Sequence, residues 1–185
     1  MPVVLSYSVL SDYPRRAHFE FYRAHPSPFY SVTFELVATR LRERLADEGA
    51  PVYAGLCWHF HRALLALPAF RVRLAGDELV LHDRLRMGLT VPAPRRTFSF
   101  ATFEWEAEWA KFAGSARAVL ARASQSIDLT GGKEPDFAYY TALPKIPFTA
   151  FTHVTPTDPT AGQPGTAFGR MVERDGGFRV PVGVQ

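Results

Sequence analysis

Residues 52–83 read VYAGLCWHFHRALLALPAFRVRLAGDELVLHD. The first half, as far as Leu67, carries apolar side chains on most faces: Val52, Leu56, Cys57, Trp58, Phe60, Leu64 and Leu65. A helix that is apolar all round is buried between layers. The second half then changes to a period of two. Phe70, Val72 and Leu74 alternate with Arg71 and Arg73, the pattern of a half-buried strand. Gly76 and Asp77 supply a turn, and residues 78–83 return as the hairpin partner. Helices mixed with antiparallel hairpins in this way imply a sheet with helices packed mainly on one side, in the α/β or α+β class.

The flanking sequence extends that pattern. Residues 14–24 predict a first helix, with Asp12 as cap, Pro14 in the first turn and Pro26 beyond its end. Residues 29–36 are rich in aromatic and β-branched types and predict a strand. Val37, Leu41 and Leu45 form an aliphatic stripe on a second helix that Gly49 ends. Further strands are expected at 89–91 and 98–105. A helix follows with Trp109, Phe112, Ala116, Val119 and Ala123 on one face. Residues 137–143 and 148–154 read as core strands, and 168–173 and 178–184 flank the turn at Asp175-Gly176-Gly177. Phe178, Val180, Val182 and Val184 alternate strictly. Gly131-Gly132 and residues 156–165 read as loops.

A chain of 185 residues with 47% hydrophobic content supports one domain, residues 1–185, with a sizeable core. No apolar run is long enough for a membrane helix, and the N-terminus lacks the basic leader of a signal peptide, so the expectation is a cytoplasmic protein without a membrane partner. The single cysteine, Cys57, lies in the apolar helix and reads as a buried, inert thiol. No metal site is expected. One cysteine cannot build one, and His59 and His61, two apart on a helix, do not share a face. The net charge of +3 is dispersed along the chain, which argues against nucleic acid but favours attraction of an anionic ligand. Thr130-Gly131-Gly132-Lys133 lacks the spacing of a phosphate loop. His153 alternates with apolar neighbours and reads as a strand histidine.

Several segments carry a resemblance. Arg15-Arg16-Ala17-His18-Phe19-Glu20-Phe21-Tyr22 resembles R-[RK]-x-H-F-[ED]-[FY]-[FY], the N-terminal motif of the chloramphenicol acetyltransferases. In the same order follow Phe70-Arg71-Val72-Arg73 with Gly76 to Val80, Thr97-Phe98-Ser99, Thr141-Ala142-Leu143-Pro144, Phe148-Thr149-Ala150-Phe151, Phe168-Gly169-Arg170 and Val180 to Gln185. The resemblance implies a two-layer α/β sandwich, a mixed β-sheet covered by helices. It implies an antibiotic-resistance type of enzyme that uses acetyl-CoA as co-substrate and acetylates an alcohol acceptor. It also implies a homotrimer with active sites between subunits.

Site residues are implied one at a time. Thr141 stands where the family keeps an oxyanion-donating serine. Phe21, Tyr22 and Phe98 match aromatic positions of the acceptor pocket. Arg170 matches a basic position near the coenzyme channel. Arg15 matches an arginine that pairs with an aspartate of the motif H-H-x-x-x-D-G. Lys145 replaces a tryptophan, and Ala167, beside Thr166, replaces a threonine that contacts the intermediate. The second histidine of H-H-x-x-x-D-G is the family's general base. None of the six histidines here lies in such a motif, which would follow Gln185. The sequence is therefore expected to be either a piece of a longer enzyme or a non-catalytic relative that sequesters a hydrophobic small molecule.

Overall fold

The structure is a computed structural model that describes residues 6–131, 134–154 and 162–185. Its elements are β1 (Tyr7–Val9), α1 (Arg16–Arg23), β2 (Val32–Val37), α2 (Thr39–Asp47), α3 (Val52–Leu65), β3 (Val72–Ala75), β4 (Glu78–His82), β5 (Arg86–Ala93), β6 (Thr97–Phe103), α4 (Trp109–Ala123), β7 (Phe137–Ala142), β8 (Gly165–Phe168), β9 (Val172–Arg174) and β10 (Gly177–Val184). The large sheet has the order β2-β10-β8-β7-β5-β6, with β9 paired to β10. β7 runs parallel to β5 and β8, and the remaining pairs are antiparallel, so the sheet is mixed. A small sheet, β1-β4-β3, holds the hairpin and a short N-terminal strand that the sequence pattern did not reveal.

α2, α3 and α4 pack on one face of the large sheet. Trp58, Phe112, Tyr140, Phe168, Met87, Val180 and Val182 fill the interface and are essentially inaccessible. Alternation along β10 sends Val180 and Val182 into this layer, as the period of two required. Gly49 has φ +60 and ends α2 through its left-handed conformation. Cys57 is buried, and burial pushes its thiol pKa up, consistent with a packing role.

Several expectations are corrected. α1 starts at Arg16, and its cap residue, Arg15, makes no side-chain cap bond. A turn closed by Arg16 N–H on the Tyr13 carbonyl separates Asp12 from the helix. Val37 ends β2 and is exposed, so only Leu41 and Leu45 of the aliphatic stripe lie on α2. Phe70 and Arg71 fall in a 3-10 turn, Pro68–Arg71, and Arg73 is buried rather than solvated. Its guanidinium donates to the carbonyls of Phe70, Val72, Pro135 and Phe137, which replace the water it gives up. Residues 148–154 form no strand, because their backbone N–H groups find side chains: Phe151 N–H donates to Thr33 Oγ1 (3.2 Å) and His153 N–H to Gln185 Oε1 (3.0 Å). The expected strand 168–173 is two strands, β8 and β9. Much of the expected loop 156–165, like Gly132, lies outside the described residues.

One polar group joins the layers. His61 of α3 is fully buried, with Nε2 2.9 Å from the Leu85 carbonyl and Nδ1 2.8 Å from the Tyr140 hydroxyl. A carbonyl only accepts, so Nε2 carries the proton and Nδ1 accepts from Tyr140. Burial lowers the His61 pKa to about 4 from the usual 6.5. The unfolded chain therefore takes up this proton first as pH falls. The contribution of His61 is complete above about 6.5 and is lost progressively down to about 4, by about 1.4 kcal/mol per pH unit. Chemical denaturation between pH 7.5 and 4.5 should show this slope reduced by about one proton in His61→Gln, with lower stability at pH 7.5. An unchanged slope would remove His61 from the acid sensitivity.

Candidate active site

The face of the large sheet opposite the helices carries one row of small and polar residues beside the aromatic rings of Phe98, Phe100, Phe137 and Tyr139. Strand register places Thr33, Gly183, Ala167, Thr141 and Thr90 in one row across five strands. Residues 144–153 fold back over this face, and the glycines beneath them make room. A Cβ at Gly183 would lie 2.8 Å from Cβ of Phe151, one at Gly165 2.9 Å from the His153 ring, and one at Gly169 2.9 Å from the Phe148 ring. Phe148 and Phe151 pack on each other at 5.3 Å, and His153 sits edge-on to Phe151 at 4.9 Å.

Thr141 lies near the end of β7 and is half-buried. Thr90 Oγ1 donates to Thr141 Oγ1 at 3.3 Å. That bond leaves the Thr141 proton free to donate to a third group on the open face. Thr90 was not singled out from sequence, where it is one more β-former. Ala167 stands directly opposite Thr141, whereas Thr166 points to the helix side, where its hydroxyl is buried without a partner. Strand alternation thus prevents Thr166 from replacing the hydroxyl missing at 167. His153 also has a buried, unpartnered Nε2, and burial lowers its pKa, so its ring is neutral at pH 7.

Phe98 is on the same open face, in the edge strand β6, packed against Phe100 at 5.7 Å and half-exposed. Arg170 is exposed at the corner after β8, where its N–H donates to the Ile146 carbonyl (2.8 Å). The Tyr53 hydroxyl pins that corner by donating to the Gly169 carbonyl (2.9 Å). Lys145 is exposed in the segment after β7.

A cavity of about 470 Å³ opens between α1, the β3 region and Gln185. Arg15 and Tyr22 line it; Phe21, Phe98, Thr141 and Arg170 do not. Phe21 is 62% exposed and packs edge-to-face on Tyr22 at 5.2 Å. Gln185 continues β10, which stands four strand intervals from β6, about 19 Å at the usual spacing. Within one chain, therefore, Tyr22 and Arg15 lie at the Gln185 end and Phe98 at the far edge, with Thr141 on β7 two strand intervals from both β10 and β6.

The profile described as "Chloramphenicol acetyltransferase" matches residues 6–185. The chain belongs to the chloramphenicol acetyltransferase family. It is 27% identical over 177 residues to a chloramphenicol acetyltransferase from Bacillus pumilus, covering 94% of this chain and 80% of that one. It is 28% identical over 181 residues to one from Streptomyces acrimycini, covering 95% and 82%. A solved chloramphenicol acetyltransferase has the same fold, with a TM-score of 0.88 at 20% identity, covering 98% of this chain and 89% of that one. The mixed sheet covered by helices is the family's architecture, and family membership supports an acyltransferase function. Among the described residues no helix is long and apolar enough to cross a membrane.

The folded-back segment gives a stability test. Gly183→Ala should cost about 1–3 kcal/mol, because the Phe151 Cβ it meets cannot rotate away. In a Phe151→Gly background, which lacks that Cβ, the cost of Gly183→Ala should be smaller in a denaturant titration. Full stability in Gly183→Ala alone would show that residues 144–153 do not rest on β10.

Proposed function

We propose that the chain is an acyltransferase that moves the acetyl group of acetyl-CoA to an alcohol acceptor. Family membership over residues 6–185 carries the reading, and the Thr141 hydroxyl on the open face supports it. In the proposed step the acceptor oxygen attacks the thioester carbonyl. A C–O bond forms, the C–S bond breaks, and the acceptor proton ends on the coenzyme thiol. Negative charge develops on the carbonyl oxygen, where a preplaced hydroxyl donor lowers the barrier. Thr141 is the proposed donor, positioned by Thr90. Phe21, Tyr22 and Phe98 are proposed acceptor contacts, and Arg170 a contact for the anionic coenzyme. Acetyl-CoA enters as co-substrate, and no metal is needed.

Tyr22 and Phe98 do not meet within one chain, so the proposal includes a homotrimer that completes each site between subunits. Antibiotic modification in the cytoplasm is the matching setting. A second reading belongs to another class. In it the chain binds a hydrophobic acceptor and does not turn it over. His61 supports this reading, because both its nitrogens are committed.

Release of free thiol from acetyl-CoA, with chloramphenicol and simple alcohols as acceptors, separates the readings. Acceptor-dependent release supports transfer. Calorimetric binding of the acceptor without release supports sequestration. Where release occurs, Thr141→Val should lower kcat by about 10²-fold or more with little change in melting temperature, and Thr141→Ser should retain activity. Full activity in Thr141→Val would take the oxyanion role away from this residue.

A further inference from the structure

Lysine is scarce in this chain: Lys111, Lys133 and Lys145 are its only lysines, and its other permanently basic side chains are arginines. An arginine keeps its proton and cannot act as a nucleophile, whereas a lysine that loses its proton can. Lys111 meets Glu108 at 2.8 Å on α4, on the helix side of the sheet and away from Thr141. Lys145 is exposed and forms no ion pair among the described residues.

The fold ties Lys145 to two positions already described. Ile146 N–H donates to the Leu143 carbonyl (3.0 Å), which closes a tight turn with Pro144 and Lys145 at its centre. The turn follows directly on β7, which carries Thr141. Its other side is fixed to the corner after β8. Leu143 N–H donates to the Phe168 carbonyl, and Arg170 N–H to the Ile146 carbonyl, each at 2.8 Å. Lys145 thus stands on a pinned turn between the strand of Thr141 and the corner of Arg170. Arg170 is exposed as well, and it too lacks an ion pair among the described residues. A coenzyme with its anionic end on Arg170 and its thioester at Thr141 runs past this turn.

We propose that the protein acetylates itself at Lys145, with acetyl-CoA bound at this corner as the donor. The proposal rests on the acetyl-CoA reading above and deepens it. The neutral Lys145 amine attacks the thioester carbonyl. A C–N bond forms, the C–S bond breaks, and the amine proton ends on the coenzyme thiol. No thiol relay precedes the step, because Cys57, the single cysteine, is buried. Holding the donor beside the amine replaces a chance collision by reaction within one complex.

The test incubates the 185-residue chain with acetyl-CoA carrying a deuterated acetyl group and reads the label at each lysine by peptide mass spectrometry. Lys145 should be labelled about tenfold faster than Lys111, or more. Excess free coenzyme A and Arg170→Ala should each bring Lys145 down towards the Lys111 rate. S-acetyl-N-acetylcysteamine, the same thioester without the nucleotide, should label these two lysines within about twofold of each other. Equal labelling of the two by acetyl-CoA would overturn the proposal. A Lys145 preference that survives with the small thioester would overturn it too, since exposure alone then explains it. Calorimetry with coenzyme A separates this failure from failure of the acetyl-CoA reading. Coenzyme binding without label at Lys145 overturns self-acetylation alone, and the absence of both overturns the two together.

Discussion

The position of the helix layer on the sheet depends on one neutral imidazole. His61 reaches from α3 to the Tyr140 hydroxyl in β7 and to the Leu85 carbonyl just before β5. β5 and β7 are parallel neighbours, so a single side chain ties the helix to two adjacent strands. Apolar packing around it is non-directional and would tolerate small slides of α3 along the sheet. The two hydrogen bonds do not tolerate them, because a slide would leave three buried polar groups unpaired at once. The stack of Trp105 on Trp58, with Trp58 Nε1 donating to the Glu106 carbonyl, closes the same region from the side.

Placing all three packed helices on one face leaves the other face to be covered by the chain itself. Residues 144–153 do this with Phe148, Phe151 and His153, and Gly169, Gly183 and Gly165 are small because these rings lie on them. The cover rests on the Thr33 and Gly183 end of the row, and Thr141 and Thr90 at its other end are only half-buried. Chemistry at Thr141 is thus tied to packing at Gly183: filling the space over β10 would move the segment that borders the hydroxyl pair.

The sequence pattern exposed most of the fold wherever one residue type had one environment. The alternation in residues 178–184, the apolar helix at 52–65 and the turn at Gly76 all appear where the periodicity put them. It failed where a polar group found partners far along the chain. Arg73 looked like a solvated strand residue, and its burial depends on carbonyls at 135 and 137 that no local pattern reveals. Residues 148–154 have strand composition, but their N–H groups are taken by Thr33 and Gln185. At the candidate site the motif positions of Arg15, Tyr22, Phe98 and Thr141 were legible. The separation of Tyr22 from Phe98 was not, since it follows from strand order, and neither was the pairing of Thr90 with Thr141.

That separation bears on how a complete site arises. Tyr22 and Arg15 face a cavity at the Gln185 end of β10, while Phe98 stands on β6, at the far edge of the sheet. No side-chain rotation spans four strand intervals. If all these residues serve one acceptor, different copies of the chain must supply them. The surface around α1 and β2 has the character such an arrangement needs. Phe21, Tyr30, Val32 and Val37 are each at least 60% exposed, and β2 pairs only with β10, leaving an open edge among the described strands. An apolar strand edge of this kind is a liability in a lone chain. Cover by another copy of the chain, as in the proposed trimer, would remove that liability.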